Sequence, residues 1–235
     1  MKYLNINPAD LGAESGEDAG ASRAALEARL QAQQERLREP SVQRDERASG
    51  RLLLEMGRVL LALDRREEAW EHGREAFRRF AALEDWEAAV EACDVLFQTE
   101  QPSSLSALGQ GIWLAMTYPI DPELTVAMLE HVVEETPDDS DGAAVAAAAA
   151  CYIVHLRSQG KQRENLTFYT NQLLGAVARR HSHVETQEAF DAWVERLELH
   201  DPERFLPRLR NVVDVLVQDD WWIDREALVA KLPVD

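Results

Sequence analysis

Apolar residues recur at intervals of three and four positions along most of the chain, which is the spacing of one face of an α-helix. Two of the clearest stripes are Leu53, Met56, Leu60 and Leu63, and Trp86, Val90, Cys93 and Phe97. A later helical segment, residues 165–180, carries Phe168, Leu173, Leu174 and Val177. No alternating run rich in β-branched residues reaches the length of a convincing strand. The pattern therefore predicts an all-α protein.

Turn-forming residues separate these helical segments. Asp121-Pro122-Glu123 and Asp201-Pro202-Glu203 each combine a capping carboxylate, a proline at the first helical position and an acid in the first turn. This combination marks the start of a helix. Gly160 follows the alanine-rich segment 143–157, and a glycine there predicts a helix end. Helices of about fifteen residues joined by links of about two to six predict a stack of antiparallel helix hairpins.

The amino-terminal region differs in composition from the rest. Residues 1–22 are rich in Gly, Ala, Asp, Glu and Ser, and they predict a flexible leader. Residues 23–45 carry leucines at helical spacing and predict an N-terminal helix followed by a linker. Residues 46–235 are predicted to form one helical-repeat domain.

One hairpin resembles a known repeat. Within residues 50–98 the order of large and small residues is Leu53, Met56-Gly57, Leu60, Ala69 and Ala76. Twelve positions separate Gly57 from Ala69. This segment resembles a tetratricopeptide repeat, in which small residues let two helices pack closely.

The segment departs from the repeat pattern at several positions. Gly73 stands where an aromatic residue is usual, and Ala81 stands where a proline closes the unit. One period later, Glu91 and Ser103 replace the glycine and the alanine. What the resemblance implies is a TPR-like α-solenoid, a curved helical stack whose concave face binds a peptide or protein segment.

Charge is unevenly distributed along the chain, whose formal net charge is −18. Between Arg79 and Arg157 there are fourteen acidic residues and no Lys or Arg. The segment from Arg157 to His183 then carries five Lys or Arg residues against the single acid Glu164. Such segregation predicts that one of these stretches forms the electrostatic part of a protein contact. Two alternatives remain: the stretches face each other within the chain, or the charges only favour solubility.

The candidate residues for such a contact are Asp138, Asp139, Arg179 and Arg180. A second candidate is the pair Trp221-Trp222, which follows two aspartates. Two adjacent tryptophans cannot share one face of a regular helix, so one is expected to cap the hydrophobic core. The other could then serve as a docking anchor for a partner protein.

The acidic composition argues against nucleic acid and anionic membranes as partners, because both require a cationic surface. The longest apolar run, residues 142–154, is mostly alanine and too short to cross a bilayer. The amino terminus has no secretory signal pattern, and two distant cysteines are too few for a disulfide framework. We therefore expect a cytoplasmic protein.

Motifs for catalysis or cofactor binding are weak. Gly109-Gln110-Gly111 is not followed by a phosphate-binding lysine, and His181, His183 and Glu185 offer at most two metal ligands from one segment. Cys93 and Cys151 have apolar neighbours and are expected to fill the core. The sequence therefore predicts no cofactor, no metal and no enzyme activity.

These observations favour a non-catalytic adaptor or assembly factor that binds a partner protein on a helical-repeat surface. The alternative is a regulatory or sensor domain that binds a small ligand between its central helices. An enzyme whose buried catalytic groups form no local motif is a third hypothesis. Whether the chain forms a homo-oligomer is left open.

Overall fold

A computed structural model describes residues 2–4 and 16–232, with only the backbone described for residues 16–21. These residues contain twelve α-helices and no strand, so the all-α prediction is confirmed. They are α1 (Gly16–Leu37), α2 (Pro40–Gln43), α3 (Glu46–Ala62), α4 (Arg66–Ala82), α5 (Trp86–Gln98), α6 (Ser104–Thr117), α7 (Pro122–Glu135), α8 (Asp141–Arg157), α9 (Gly160–Ser182), α10 (Gln187–Arg196), α11 (Pro202–Val217) and α12 (Arg225–Val229). Successive helices pack against one another within the two groups α2–α5 and α7–α10.

The chain divides into two compact units. The amino-terminal unit comprises Ser22–Gly111 and Asp214–Asp235, and the central unit comprises Met1–Ala21 and Ile112–Val213. The sequence had indicated one repeat domain over residues 46–235. Most of the predicted leader, residues 5–15, lies outside the described residues. At the start of the predicted leader, the backbone N–H of Tyr3 donates to the Glu123 carboxylate at 2.7 Å, and Leu4 is buried.

In the amino-terminal unit, α3 and α4 form an antiparallel hairpin. The start of α3 meets the end of α4: Arg79 lies 3.0 Å from Glu46, and the Phe80 ring covers Gly50. A Cβ atom at Gly57 would be 3.6 Å from the carbonyl oxygen of Ala69. Small residues therefore allow the two helix backbones to approach closely, as the sequence pattern predicted.

Helix α5 runs antiparallel to α4 and parallel to α3. A Cβ atom at Gly73 would meet the Leu96 side chain at 2.9 Å, so the absent side chain lets α5 pack against α4. Gly57 lies against Val95, and Arg47 forms an ion pair with Asp85 at 2.9 Å. Helices α3, α4 and α5 therefore alternate in direction.

The N-terminal helix is docked on this unit through a few leucines. Leu30 of α1 is only 2% exposed, and its hydrophobic cluster comprises Met56, Val59, Leu60, Leu63 and Ala69. Of the leucines predicted to lie at helical spacing within residues 23–45, Leu30 is thus buried, and Leu26 and Leu37 are partly buried against the same cluster.

Three turns at helix ends share the same backbone conformation and hydrogen-bonding pattern. Asp64, Glu84 and Glu198 each have a left-handed backbone, with φ of 57°, 53° and 53°, and each follows a leucine at the helix end. The next residue donates its N–H to a carbonyl five positions earlier, as Arg65 does to Leu60 at 2.8 Å. Such bonds satisfy carbonyls at a helix end that would otherwise lack a partner.

In the central unit, α8 is enclosed by its neighbours. Its alanines from Ala143 to Ala150 are all buried, and α7 and α9 both pack against it. The predicted start of α7 is confirmed, because the Asp121 carboxylate accepts the N–H of Glu123 at 2.8 Å. The role predicted for Gly160 is wrong: α8 ends at Arg157, and Gly160, with φ of 54°, is the first residue of α9. A left-handed backbone there favours glycine.

Candidate functional site: the exposed face of α9

Trp222 is held within the amino-terminal unit. Its ring makes edge contacts with Trp70 and Phe77, at centroid distances of 6.1 and 5.2 Å, and the guanidinium of Arg74 lies 3.7 Å from its ring centre. Its backbone N–H donates to the side-chain oxygen of Gln110 at 3.2 Å. Trp222 therefore fastens the C-terminal segment to this unit, which is the capping role that the sequence suggested for one of the two tryptophans.

Trp221 lies outside the helices, in the link between α11 and α12. The guanidinium of Arg225 covers its ring at 3.7 Å, and the same Arg225 donates to Asp214 at 2.8 Å. Both tryptophan rings thus have a cation on one face. The docking role predicted for one of them stays a prediction.

The structure brings Arg180 close to one of the acidic candidates. Arg180 donates to the carbonyl oxygen of Val133 at 2.6 Å, near the end of α7, and lies 3.9 Å from the carboxylate of Asp138. Asp138 and Asp139 are exposed in the link that precedes α8. Arg180 therefore also serves to hold α9 against α7 within the central unit.

Arg179, the neighbouring candidate, points in a different direction. It is exposed and belongs to a face of α9 that no other helix in the described part of the chain covers. Successive helical residues are rotated by about 100°, which places Glu164, Phe168, Asn171, Gln172, Gly175 and Arg179 within one sector of the helix surface. Opposite this sector, Leu166, Thr170 and Val177 are buried. We call the sector the α9 outer face.

Phe168 is the most prominent residue of the α9 outer face. It is 66% exposed, and it is the only exposed aromatic residue among those whose side chains are described. Phe168 and Val177 lie on opposite faces of α9, because nine positions along a helix correspond to two and a half turns.

Gly175 lies about two turns further along the same face. A Cβ atom there would meet only the Arg179 guanidinium, at 3.6 Å, whereas at Gly50, Gly57 and Gly73 it would meet a packed side chain at 2.9–3.1 Å. Nothing in the described part of the central unit requires a glycine at position 175. A glycine inside a helix costs about 1 kcal/mol relative to alanine.

Two open depressions lie on either side of Phe168. One, of about 580 Å³, is lined by Gly160, Arg163, Glu164, Thr167, Phe168 and Asn171. The other, of about 700 Å³, is lined by Phe168, Asn171, Gln172, Gly175, Ala176 and Arg179. The α9 outer face thus has the protruding ring of Phe168, a flat site at Gly175, and opposite charges near its two ends. These are features of a protein-binding surface.

The sequence reasoning identified Arg179 but missed Phe168 and Gly175 as surface features. A helical-wheel comparison would have shown that Phe168 lies opposite Leu166, Thr170 and Val177. No sequence signal shows which side of α9 is covered, because Phe168 is as apolar as the residues that are buried.

Among the remaining chemical candidates, Cys93, Cys151 and His181 have roles in packing. Burial raises the pKa of the Cys93 thiol well above its ordinary range, and burial also raises the pKa of Cys151. A thiol with a raised pKa is a poor nucleophile. His181 accepts the indole N–H of Trp193 at 3.2 Å and contacts Asp141 at 3.1 Å, so it joins α9, α10 and α8.

Within the described residues, no group of three or more His, Cys, Asp and Glu side chains is arranged to hold a metal ion. The helices in the same part of the chain also lack the combined length and apolarity needed to cross a membrane. Comparison of the chain with protein-family models, with curated proteins and with solved structures gives no match.

Proposed function

We propose that this chain is a non-catalytic interaction adaptor and that the α9 outer face is a surface on which it binds a protein. The exposed Phe168 carries this proposal. Burying a phenylalanine side chain stabilises an assembly by about 1.5–3 kcal/mol, and the described residues of the central unit leave this ring 66% exposed.

The composition of the surface also supports protein binding. Buried aromatic anchors surrounded by polar residues are common at protein interfaces. On the α9 outer face, Asn171 and Gln172 provide hydrogen-bonding amides beside Phe168, and Arg179 provides a charge at one end.

A tetratricopeptide-type arrangement of α3, α4 and α5 remains part of the proposal. It is supported by the close approach at Gly57 and by the parallel packing of α3 and α5. A repeat scaffold would be consistent with an adaptor role. The ligand-sensing alternative also stays a prediction, since the two depressions on α9 are open surface features.

Site-specific photo-crosslinking tests the proposed function. A photoreactive amino acid replaces Thr167, on the border of the α9 outer face, and the protein is irradiated in an extract of its native host. We expect a crosslink to a protein chain that disappears when Phe168→Asp is introduced. The matched control places the same group at Ala192, an exposed residue of α10.

Crosslinks that persist unchanged with Phe168→Asp, or a Thr167 pattern identical to that at Ala192, would contradict the proposal. Circular dichroism of the Phe168→Asp variant should match that of the wild type, because an exposed side chain contributes little to folding.

A further inference from the structure

We propose that a second copy of this chain covers the α9 outer face, in a two-fold symmetric dimer formed by antiparallel α9 helices. This inference rests on the proposed function and identifies the protein bound there. It is carried by the arrangement of residues on the face, which is complementary to itself.

The complementarity depends on the order of residues along α9. Glu164 and Arg179 lie at equal distances from the point midway between Asn171 and Gln172, and so do Phe168 and Gly175. In a symmetric antiparallel pair, each residue faces the residue that is equally far from the axis on the other copy. A two-fold axis at this point therefore places every one of these residues opposite a suitable partner.

The first suitable pair is electrostatic. Glu164 and Arg179 are both exposed, and within the described part of the chain neither forms an ion pair. They are fifteen positions apart on one helix, so they cannot reach each other within a copy. Across the axis, the dimer would contain this ion pair twice, once at each end.

The second pair is steric. Phe168 projects from the helix, and Gly175 leaves a flat site that a phenyl ring can cover. Among the described residues of its own unit the glycine has no packing role, since a Cβ atom there would contact only Arg179. Close approach of a second copy supplies a reason for glycine at this position, because any larger side chain would hold the opposing ring away.

The residues nearest the axis are also compatible. Asn171 and Gln172 face each other across it, and an amide both donates and accepts hydrogen bonds. Thr167 would face Ala176, so a small residue opposes a medium-sized one. No like charges are brought together among Glu164, Phe168, Asn171 and their counterparts.

The size of the contact sets the expected affinity. The segment from Glu164 to Arg179 spans about 24 Å at about 1.5 Å per residue, and a helix is about 10 Å wide. A contact confined to this strip lies below the size range of stable complexes and within the range of weak, transient ones. We therefore expect a reversible dimer with a dissociation constant in the micromolar range.

Charge reversal provides the decisive test, using sedimentation equilibrium of the purified full chain from about 1 to about 200 μM. Glu164→Arg alone and Arg179→Glu alone should each weaken dimerisation at least tenfold, because each places like charges opposite one another at both ends. An equimolar mixture of the two variants should dimerise with near wild-type affinity, because the heterodimer contains two opposite-charge pairs.

Two further variants test the steric pair. Gly175→Leu should weaken dimerisation at least tenfold while the monomer remains folded, since the added side chain meets open space in one copy. Phe168→Ala should weaken dimerisation to a similar degree. Arg44→Glu and Val215→Ala are the controls, since both residues are exposed and lie outside α9, and these changes should leave the association constant unchanged.

A wild-type chain that is monomeric at 200 μM would overturn the dimer, and so would a dimer that none of the α9 variants affects. A mixture of the two charge variants that fails to restore association would also overturn it. If the purified chain is monomeric but the Thr167 crosslink to a different protein persists, the adaptor function stands and the second copy is ruled out as its partner.

Discussion

At the scale of single residues, the chain places acidic side chains where glycine is usual. Asp64, Glu84 and Glu198 each adopt a left-handed backbone immediately after a helix end. A residue with a Cβ atom is strained in this conformation, and a negative charge near the C-terminus of a helix is unfavourable. The backbone at these turns is therefore strained, and a substitution by glycine should relieve that strain.

Glu198→Gly should stabilise the protein by about 0.5–1 kcal/mol, because glycine adopts the left-handed region without steric cost. Urea-induced unfolding followed by circular dichroism measures this change. The matched control is Ala192→Gly, at an exposed helical position of α10, which should destabilise the protein by about 1 kcal/mol. A loss of stability in both variants would show that the turn is not strained.

At the scale of helices, a buried charge joins α3 to α5. Glu91 of α5 is only 3% exposed, and its carboxylate accepts from Arg58 at 2.7 Å and from Arg51 at 3.2 Å. This residue occupies the position at which the tetratricopeptide pattern would have a glycine. The structure replaces close helix contact there with an ion pair that crosses from one helix to the other.

Glu91→Gln should destabilise the protein by about 2–3 kcal/mol, because it leaves two arginines without a buried counter-charge. The figure lies below that for fully buried pairs because Arg51 and Arg58 are partly exposed to solvent. Glu55→Gln, which removes a more exposed partner of Arg58, should cost about 0–1 kcal/mol. Equal effects of the two changes in urea unfolding would contradict the special role of Glu91.

Helix existence and helix starts were predictable from sequence because they depend on local chemistry. The Asp201 carboxylate accepts the N–H of Glu203 at 2.9 Å, as the Asp-Pro-Glu pattern indicated. Which face of each helix is buried by other helices depends on residues far away in the sequence, and it was not predictable. The exposure of Phe168 and the partners of Glu91 and Trp222 were therefore not anticipated.

At the scale of the whole molecule, the acidic composition makes stability depend on pH through a few carboxylates. Burial raises the pKa of Glu130, which also accepts the hydroxyl of Tyr169. Hydrogen bonds from Arg78 and Arg79 instead lower the pKa of Glu75 to about 2. The two groups therefore change the free energy of unfolding in opposite directions as pH rises.

Glu130→Gln should stabilise the protein at pH 7, because ionised Glu130 is disfavoured in the folded state. The gain should disappear as pH falls below 4.5, where the carboxyl is protonated in both states. Glu75→Gln should destabilise at pH 7, and that loss should shrink between pH 4.5 and about 2. Urea midpoints measured across this range test both signs, and a pH-independent difference for Glu130→Gln would contradict the first.

The buried alanines of α8 limit which amino-acid substitutions this helix can tolerate. Because a methyl group has no rotamers to lose, fixing this helix in place costs no side-chain entropy at those positions. The same packing leaves no space for larger side chains, since every alanine from Ala143 to Ala150 is buried. In a saturation mutagenesis screen, this short segment is expected to tolerate only glycine, serine and cysteine, while the exposed positions of α9 accept most residues.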